Sequence, residues 1–356
     1  MTVLYAALAV LSIMICRNAR VIGHRLRLLD VPNRNGRKKH RRVTPLVGGL
    51  AVITPVLFLS LLALASGGGR LYAAALLLAG GSLVLGLFDD RRHIRPVLRL
   101  AVAAGIAGGA IMLSPAMTLE SLRFDALSLV LPLGAAGWLF SVLCLVGLQN
   151  AVNMADGKNG LVIGLSLIWT VQLAVFGPAE LLPLLTVLGA GLAVTLIFNL
   201  RGRLFLGDAG SYSISMLLGG LAIYSYNSSA VDVSAEMIIL LFMVPVLDCL
   251  RVMIGRFRRG ESLFAADRSH LHHILADAMA WPKALGWYMA LVGGPIVVAN
   301  IAPALTPLCL AGVGLAYGLI VRKTTRRADV APAATPSLAL PTVSKKAAEI
   351  PTRRAA

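Results

Sequence analysis

Acidic residues are scarce in this chain, with 16 Asp and Glu among 356 residues against 33 Lys and Arg. Charged residues of both signs make up only 14% of positions, and hydrophobic residues 58%. So little charge over this length excludes a pair of ordinary soluble domains and places the chain in the membrane class. Cysteine is sparse as well: Cys16, Cys144, Cys249 and Cys309 are scattered through apolar stretches with no CxxC spacing. That pattern excludes a disulfide or zinc framework and reads as buried thiols. The net charge of +17 would suggest nucleic acid in a soluble protein. Here no basic folded module is present and the basic residues sit in short loops between apolar runs. A membrane surface explains the charge, and nucleic acid is not an expected partner. No internal repeat is visible, which counts against a repeat-built transporter. Met1 leads straight into an apolar segment without a basic leader or a small-residue cleavage site, so a retained first helix is expected.

What the chain has in abundance is apolar runs of membrane length. They predict an all-α integral membrane protein with about eleven transmembrane helices, near 2–21, 46–66, 71–88, 97–114, 130–149, 160–177, 180–199, 211–227, 236–255, 284–303 and 305–322. With the N-terminus outside, every Lys and Arg except Arg70 and Arg123 falls in an inner loop or the tail, as do all six histidines. The positive-inside rule therefore predicts an N-out, C-in orientation with the functional loops in the cytoplasm. Pro115 to Leu129 is the longest outer connection, and its alternation suggests a small hairpin or an interfacial segment. Residues 1–322 read as one polytopic domain. Residues 323–356, rich in Ala, Pro, Lys and Arg, read as a disordered basic cytoplasmic tail able to touch anionic lipid.

The scarce polar residues cluster on the inner side. The stretch from Asn150 to Leu161, NAVNMADGKNGL, sets three asparagines, an aspartate and two glycines between two apolar runs. Amides and a carboxylate beside a bilayer mark a functional site by default, although a polar turn is the simpler reading of this stretch alone. Asp89 and Asp90 follow a helix ending in GLF and precede RRHIRPVLR. Adjacent carboxylates repel; either a divalent cation or a salt-bridge cluster with Arg91, Arg92 and Arg95 would stabilise them. Asp208 stands between two glycines in NLRGRLFLGDAGS, where it can hold Mg²⁺ or cap a helix beginning near Ser211. In RVMIGRFRRGESLFAADRSHLHHIL, His270, His272 and His273 follow Arg268, near Arg256, Arg258 and Arg259. The HxHH spacing admits zinc, but so many arginines favour an anionic ligand. The basic loop from Asp30 to Gly49, DVPNRNGRKKHRRVTPLVGG, suits a lipid phosphate or polyphosphate, or simple headgroup contact. Carboxylates that hold Mg²⁺ and cations that grip phosphates are the parts phosphoryl transfer needs.

Five of these motifs occur in a family order: DVPNRNGRKKH, GLFDD, NAVNMADGKNGL, FLGDAGS and RRGESLFAADRSHLHH. With them the chain resembles the polyprenyl-phosphate N-acetylhexosamine-1-phosphate transferases of the glycosyltransferase family 4 type. Within that family it is most similar to the WecA-type branch that uses UDP-N-acetylglucosamine. The resemblance runs from about Asp30 to Leu275 and includes the helix count. It implies a phosphotransferase of the bacterial inner membrane that moves sugar-1-phosphate from UDP-GlcNAc to undecaprenyl phosphate and releases UMP. The product would initiate cell-envelope polysaccharide synthesis.

The resemblance also implies residue roles. Mg²⁺, with Mn²⁺ as a substitute, would be held by Asp208 with Asn153 contributing. Asp89, Asp90, Asp156, His270, His272 and His273 would form the catalytic group, with Asp89 and Asp90 positioning or deprotonating the lipid phosphate. Asn150, Asn159, Phe205, Arg268, Lys39, His40 and Arg99 would bind substrate, Phe205 by stacking on uracil and Asn159 by hydrogen-bonding it. The expected partners are UDP-GlcNAc, undecaprenyl phosphate, the lipid bilayer and a second copy in a homodimer.

Two positions depart from the family pattern: Asn159 stands where many bacterial members have aspartate, and Ser262-Leu263-Phe264 where SPF is common. Another UDP-HexNAc or UDP-MurNAc-pentapeptide as donor remains an alternative. A secondary transporter would instead place its carboxylates near the bilayer midplane.

Overall fold

The computed structural model describes residues 1–32, 42–228, 233–263 and 268–330. Lys39 and His40, and the tail beyond 330, lie outside the described residues. The chain opens with α1 (Thr2–Arg17) and α2 (Ala19–Leu26), which meet at Asn18 with a 69° bend. A short antiparallel pair, β1 (Leu29–Asp30) and β2 (Thr44–Pro45), precedes α3 (Gly48–Ala65). Helix α4 (Arg70–Leu76) continues through a π turn at Leu77–Gly81 into α5 (Ser82–Arg92), followed by α6 (Pro96–Leu113). The connection after α6 holds a hairpin, β3 (Ser121–Phe124) paired with β4 (Leu129–Pro132), whose second strand occupies the first residues of the run expected near 130–149. Then come α7 (Ala136–Ala155), α8 (Leu161–Phe176), α9 (Leu182–Leu200), α10 (Gly207–Asn227), α11 (Ala235–Arg258), the short α12 (Leu271–Ala278), α13 (Trp281–Ile301) and α14 (Thr306–Val330).

Each of the eleven apolar runs is occupied by helix. Among the described residues, eight helical segments are long and apolar enough to cross a membrane, or nine if α1 and α2 form one bent span. The other two runs are α8, which has only 16 residues, and α10. Helix α10 is rich in serine and glycine and yet lies at the centre of the bundle, buried almost continuously from Ala209 to Tyr226. Small side chains let neighbouring backbones approach closely in a lipid environment. Its hydroxyls return to carbonyls one turn back: Ser213 donates to Ala209 O at 2.5 Å and Ser225 to Leu221 O at 2.8 Å. The serines therefore add little uncompensated polarity to the core.

Helices α3 and α5 press against the start of α10 at glycine contacts. A Cβ on Gly49 would lie 2.4 Å from the Gly210 nitrogen, and one on Gly86 2.3 Å from the Ala209 Cα. Neither position has room for a side chain. This crossing brings the end of α5, with Asp89 and Asp90, against the first turn of α10.

Candidate active site

Helix α10 begins at Gly207, four residues before the expected start near Ser211, so Asp208 lies in its first turn and does not cap it. The capping carboxylate comes from another helix. Asp90 accepts hydrogen bonds from the Asp208 N–H at 2.9 Å and the Ala209 N–H at 3.1 Å. An anion there satisfies two open donors and complements the helix dipole. Gly207 has φ of +75°, and a Cβ on it would meet Asp90 Oδ2 at 2.7 Å, so glycine suits this turn on both counts.

Asp89 has a different set of partners. It accepts from Tyr212 Oη at 2.6 Å, from the Ile94 N–H at 2.7 Å and from Arg99 Nη1 at 3.2 Å. The bond to Ile94 spans the tight turn in which His93 has φ of +47°. The ion-pair partner of Asp89 is thus Arg99 in α6, not the adjacent Arg91, Arg92 or Arg95. Arg91 instead donates to Leu26 O, joining α5 to the end of α2.

The Asn150–Leu161 stretch contributes the end of α7 and the turn after it. Asn153 Nδ2 donates to Asp208 Oδ1 at 2.7 Å and to Ser211 Oγ at 3.1 Å, which joins the third motif to the fourth. Asn150 bonds its own helix at Val146 O. Asp156 follows the last residue of α7, and its carboxyl is pushed up to about 8. Burial is the main cause, and the negative charges of Asp208 and Asp90 add to it.

Asn199 ties the two turns together: its Oδ1 accepts from the Gly160 N–H at 2.6 Å, and its Nδ2 donates to Leu204 O at 3.0 Å. Asn159, whose carbonyl accepts from Trp281 Nε1 at 2.8 Å, and Phe205, whose backbone bonds Pro45 and Gly48, lie on these two neighbouring turns.

The histidines enter from α12. His270 and His272 are nearly parallel, with centroids 5.7 Å apart, and His273 lies 4.2 Å from His272. His272 is 1% exposed and packs over Gly157. Burial lowers its pKa to about 3, with lesser contributions from the neighbouring histidines, so its ring is neutral at physiological pH. His273 is lowered too, by burial and then by the charge of Arg268. Arg268 itself forms an exposed pair with Asp277 at 3.2 Å.

A cavity of about 1140 Å³ joins these parts. Its walls are apolar and come mainly from α6, α7, α10 and α11, with Leu122 and Phe124 of the hairpin contributing. Its polar end holds Arg99, Asn150, Asn153, Asp156, Arg256 and the three histidines. Asp89 and Asp208 stand directly behind Arg99 and Asn153. Asn159 and Phe205 do not line this cavity. Three polar atoms at the mouth, Arg99 Nε, His272 Nε2 and His273 Nδ1, are buried without a hydrogen-bond partner among the described residues. Buried polar atoms rarely remain unpaired, so these three are available to water or a polar ligand.

The carboxylates are compatible only with an open magnesium site completed by other ligands. Among the described residues, no group of three or more His, Cys, Asp or Glu side chains is placed to hold a metal ion by itself. Mg²⁺ is commonly bound by one or two carboxylates together with water and substrate phosphates. Asp208 offers one such carboxylate, and the negative charges of Asp90 and Asp156 nearby are ones a cation would offset.

Residues that the sequence reading gave no role include Asn199, Tyr212 and Asp248. Tyr212 and Asn199 stand within or beside quoted motifs. Asp248 is the one carboxylate in the interior of α11, beyond Glu236 of its first turn, and that position is its only signal in the sequence.

Residues 72–226 match the family model described as glycosyl transferase family 4. The chain is 30% identical to the undecaprenyl-phosphate alpha-N-acetylglucosaminyl 1-phosphate transferase of Yersinia pestis, over 73% of this chain and 72% of that protein. It is 29% identical to the enzyme of the same description in Escherichia coli (strain K12), with the same coverage. A probable undecaprenyl-phosphate N-acetylglucosaminyl 1-phosphate transferase of Bacillus subtilis (strain 168) is 28% identical over 69% of each chain.

Proposed function

Because this chain belongs to glycosyl transferase family 4 and is a phosphotransferase, we propose that it transfers N-acetylglucosamine-1-phosphate from UDP-GlcNAc to undecaprenyl phosphate and releases UMP. The observation that carries this reading is the junction of a long apolar cavity with a polar mouth of arginines, histidines and unpaired donors. A lipid phosphate has the same two-part character: its chain belongs against the apolar wall and its headgroup at the mouth. A soluble nucleotide-sugar would meet that headgroup from the loop side.

In the proposed reaction, an oxygen of the lipid phosphate attacks the sugar-bearing phosphorus. The bond from that phosphorus to the bridging oxygen breaks, and UMP departs with the electron pair. Arg99 and Arg256 at the mouth offset phosphate charge, since a guanidinium presents several fixed donors. His272, being neutral, acts through hydrogen bonding at Nε2 and not through charge. Asp89, set by Tyr212, Ile94 and Arg99, orients the arginine that faces the lipid phosphate. Asp90 holds the first turn of α10, and with it Asp208, in place. Phe205 stacks on uracil and Asn159 bonds its edge, on the paired turns that Asn199 ties together. Asp208 with Asn153 would hold Mg²⁺, or Mn²⁺ in its place, which supplies charge neutralisation on the diphosphate.

The reading includes eleven spans in a bacterial inner membrane, N-out and C-in, with the mouth toward the cytoplasm. The distribution of basic residues supports that orientation. It also includes a product that initiates a cell-envelope polysaccharide. Purified protein given UDP-GlcNAc labelled in the sugar and undecaprenyl phosphate is expected to move the label into organic-extractable lipid. Label that stays wholly water-soluble would overturn the reading.

A further inference from the structure

Asp248 lies in the second half of α11, 3% exposed, and none of the five motifs contains it. Its carboxylate is surrounded by donors from three separate parts of the chain. Oδ1 accepts from Tyr317 Oη of α14 at 2.8 Å and from Arg251 Nη2 at 2.9 Å. Oδ2 lies 2.8 Å from His270 Nδ1, and the Leu271 N–H reaches both oxygens, at 3.1 and 3.2 Å. The second layer is also closed. Arg251 Nε donates to Tyr317 Oη at 2.6 Å, and Arg251 Nη2 donates to Ser269 O.

We propose that Asp248 is a positioning residue for the transfer reaction, holding His270 in one tautomer and one ring orientation at the cavity mouth. The inference rests on the activity proposed above. A carboxylate is an acceptor only, so it selects the His270 tautomer with hydrogen on Nδ1. Nε2 is then the ring nitrogen that remains for a ligand, and a neighbouring carboxylate makes it a better acceptor. Because Asp248 also takes the Leu271 N–H, one of the first open donors of α12, it sets where that helix starts. His272 stacks on His270, so the whole histidine group takes its place from this carboxylate. Tyr317 and Arg251 in turn leave Asp248 only one placement. The last helix, α14, thereby acts on a site it does not itself line.

The test combines kinetics with a direct reading of the ring. Wild type, Asp248→Asn, His270→Asn and the double variant are purified in detergent and assayed for UMP release. Asn at 270 retains a donor toward Asp248, so the carboxylate is not left unpaired. Asp248→Asn is expected to lower kcat by about 10- to 100-fold with little change in KM for UDP-GlcNAc, as for other residues that orient a functional histidine. In the His270→Asn background the same change is expected to cost nothing further, because the effect passes through His270. In ¹⁵N-histidine spectra, with the His270 signal identified by its absence from His270→Asn, the wild type is expected to show hydrogen on Nδ1. Asp248→Asn is expected to lose that preference. Additive losses in the double variant, or a His270 signal indifferent to Asp248, would overturn the proposal. If Asp248→Asn does not fold, the same cycle is run with Tyr317→Phe, whose smaller loss must likewise vanish without His270. A wild type that releases no UMP refutes the activity, and the spectra still decide the positioning role.

Discussion

His272 lies directly over Gly157: a Cβ built on the glycine would stand 2.3 Å from His272 Nε2. The contact joins the turn after α7 to the start of α12, more than 100 positions later in the chain, and it explains why position 157 of that turn is glycine. Gly157→Ala is expected to push the imidazole aside and lower kcat by about 10²-fold, as ångström-scale misplacement of a reacting group does. Steady-state kinetics on folded protein checks this; wild-type turnover in Gly157→Ala would remove His272 from the reaction.

Asp208→Asn keeps the shape of the side chain and can still accept from Asn153. Expression and thermal stability should therefore be close to wild type, while turnover falls by a factor of 10² or more, on the order of losing one strong charge contact in the transition state. Turnover near normal would exclude Asp208 from the metal site.

Phe205 has its backbone fixed by hydrogen bonds to Pro45 and Gly48, so truncating the ring should leave the turn in place. Phe205→Ala is expected to weaken UDP-GlcNAc binding by about 1–3 kcal/mol, the usual value of one aromatic stack on a base. Calorimetric titration reads this directly, and unchanged affinity would refute the stacking role.

Gly86→Val would place branched carbons where the Ala209 backbone runs, 2.3 Å from the first added atom. Overpacking of this kind costs roughly 1–3 kcal/mol or more, here between two main chains that cannot yield separately. A clear drop in unfolding temperature in detergent is expected, with activity falling too because Asp89 and Asp90 sit on the same helix.

His272 has a folded pKa of about 3 against an ordinary 6.5. The unfolded chain therefore takes up a proton that the folded chain refuses. This group's contribution to stability is complete above 6.5 and is lost progressively as pH falls toward 3. His272→Gln should flatten that part of the pH dependence of unfolding. An unchanged profile would mean that the ring is not buried in its neutral form.

Which carboxylates would lie near one another is legible in the sequence because carboxylates are so rare in an apolar chain. Asp89, Asp90, Asp156 and Asp208 stand out before any helix is placed; the structure brings Asp89, Asp90 and Asp208 together at the start of α10, with Asp156 within their electrostatic reach. Spacing could not assign their partners. Asp90 caps a helix far along the chain, and Asp89 pairs with Arg99 instead of the nearer arginines, because helix crossing decides both. Helix α10 was recognised as a helix, yet its serines gave no hint that it forms the centre of the bundle. Asp248 is inconspicuous in the sequence for a similar reason. Its four partners come from α11, α12 and α14, and only the folded chain assembles them.

The central claim is a transfer that joins a nucleotide-sugar to a lipid phosphate at this mouth. Its most direct measurement is UMP release by the purified protein with undecaprenyl phosphate, Mg²⁺ and a panel of UDP-sugars. UMP is predicted with UDP-GlcNAc, dependent on the lipid and abolished by chelation. No UMP from any donor, from protein shown to be folded, would contradict the account.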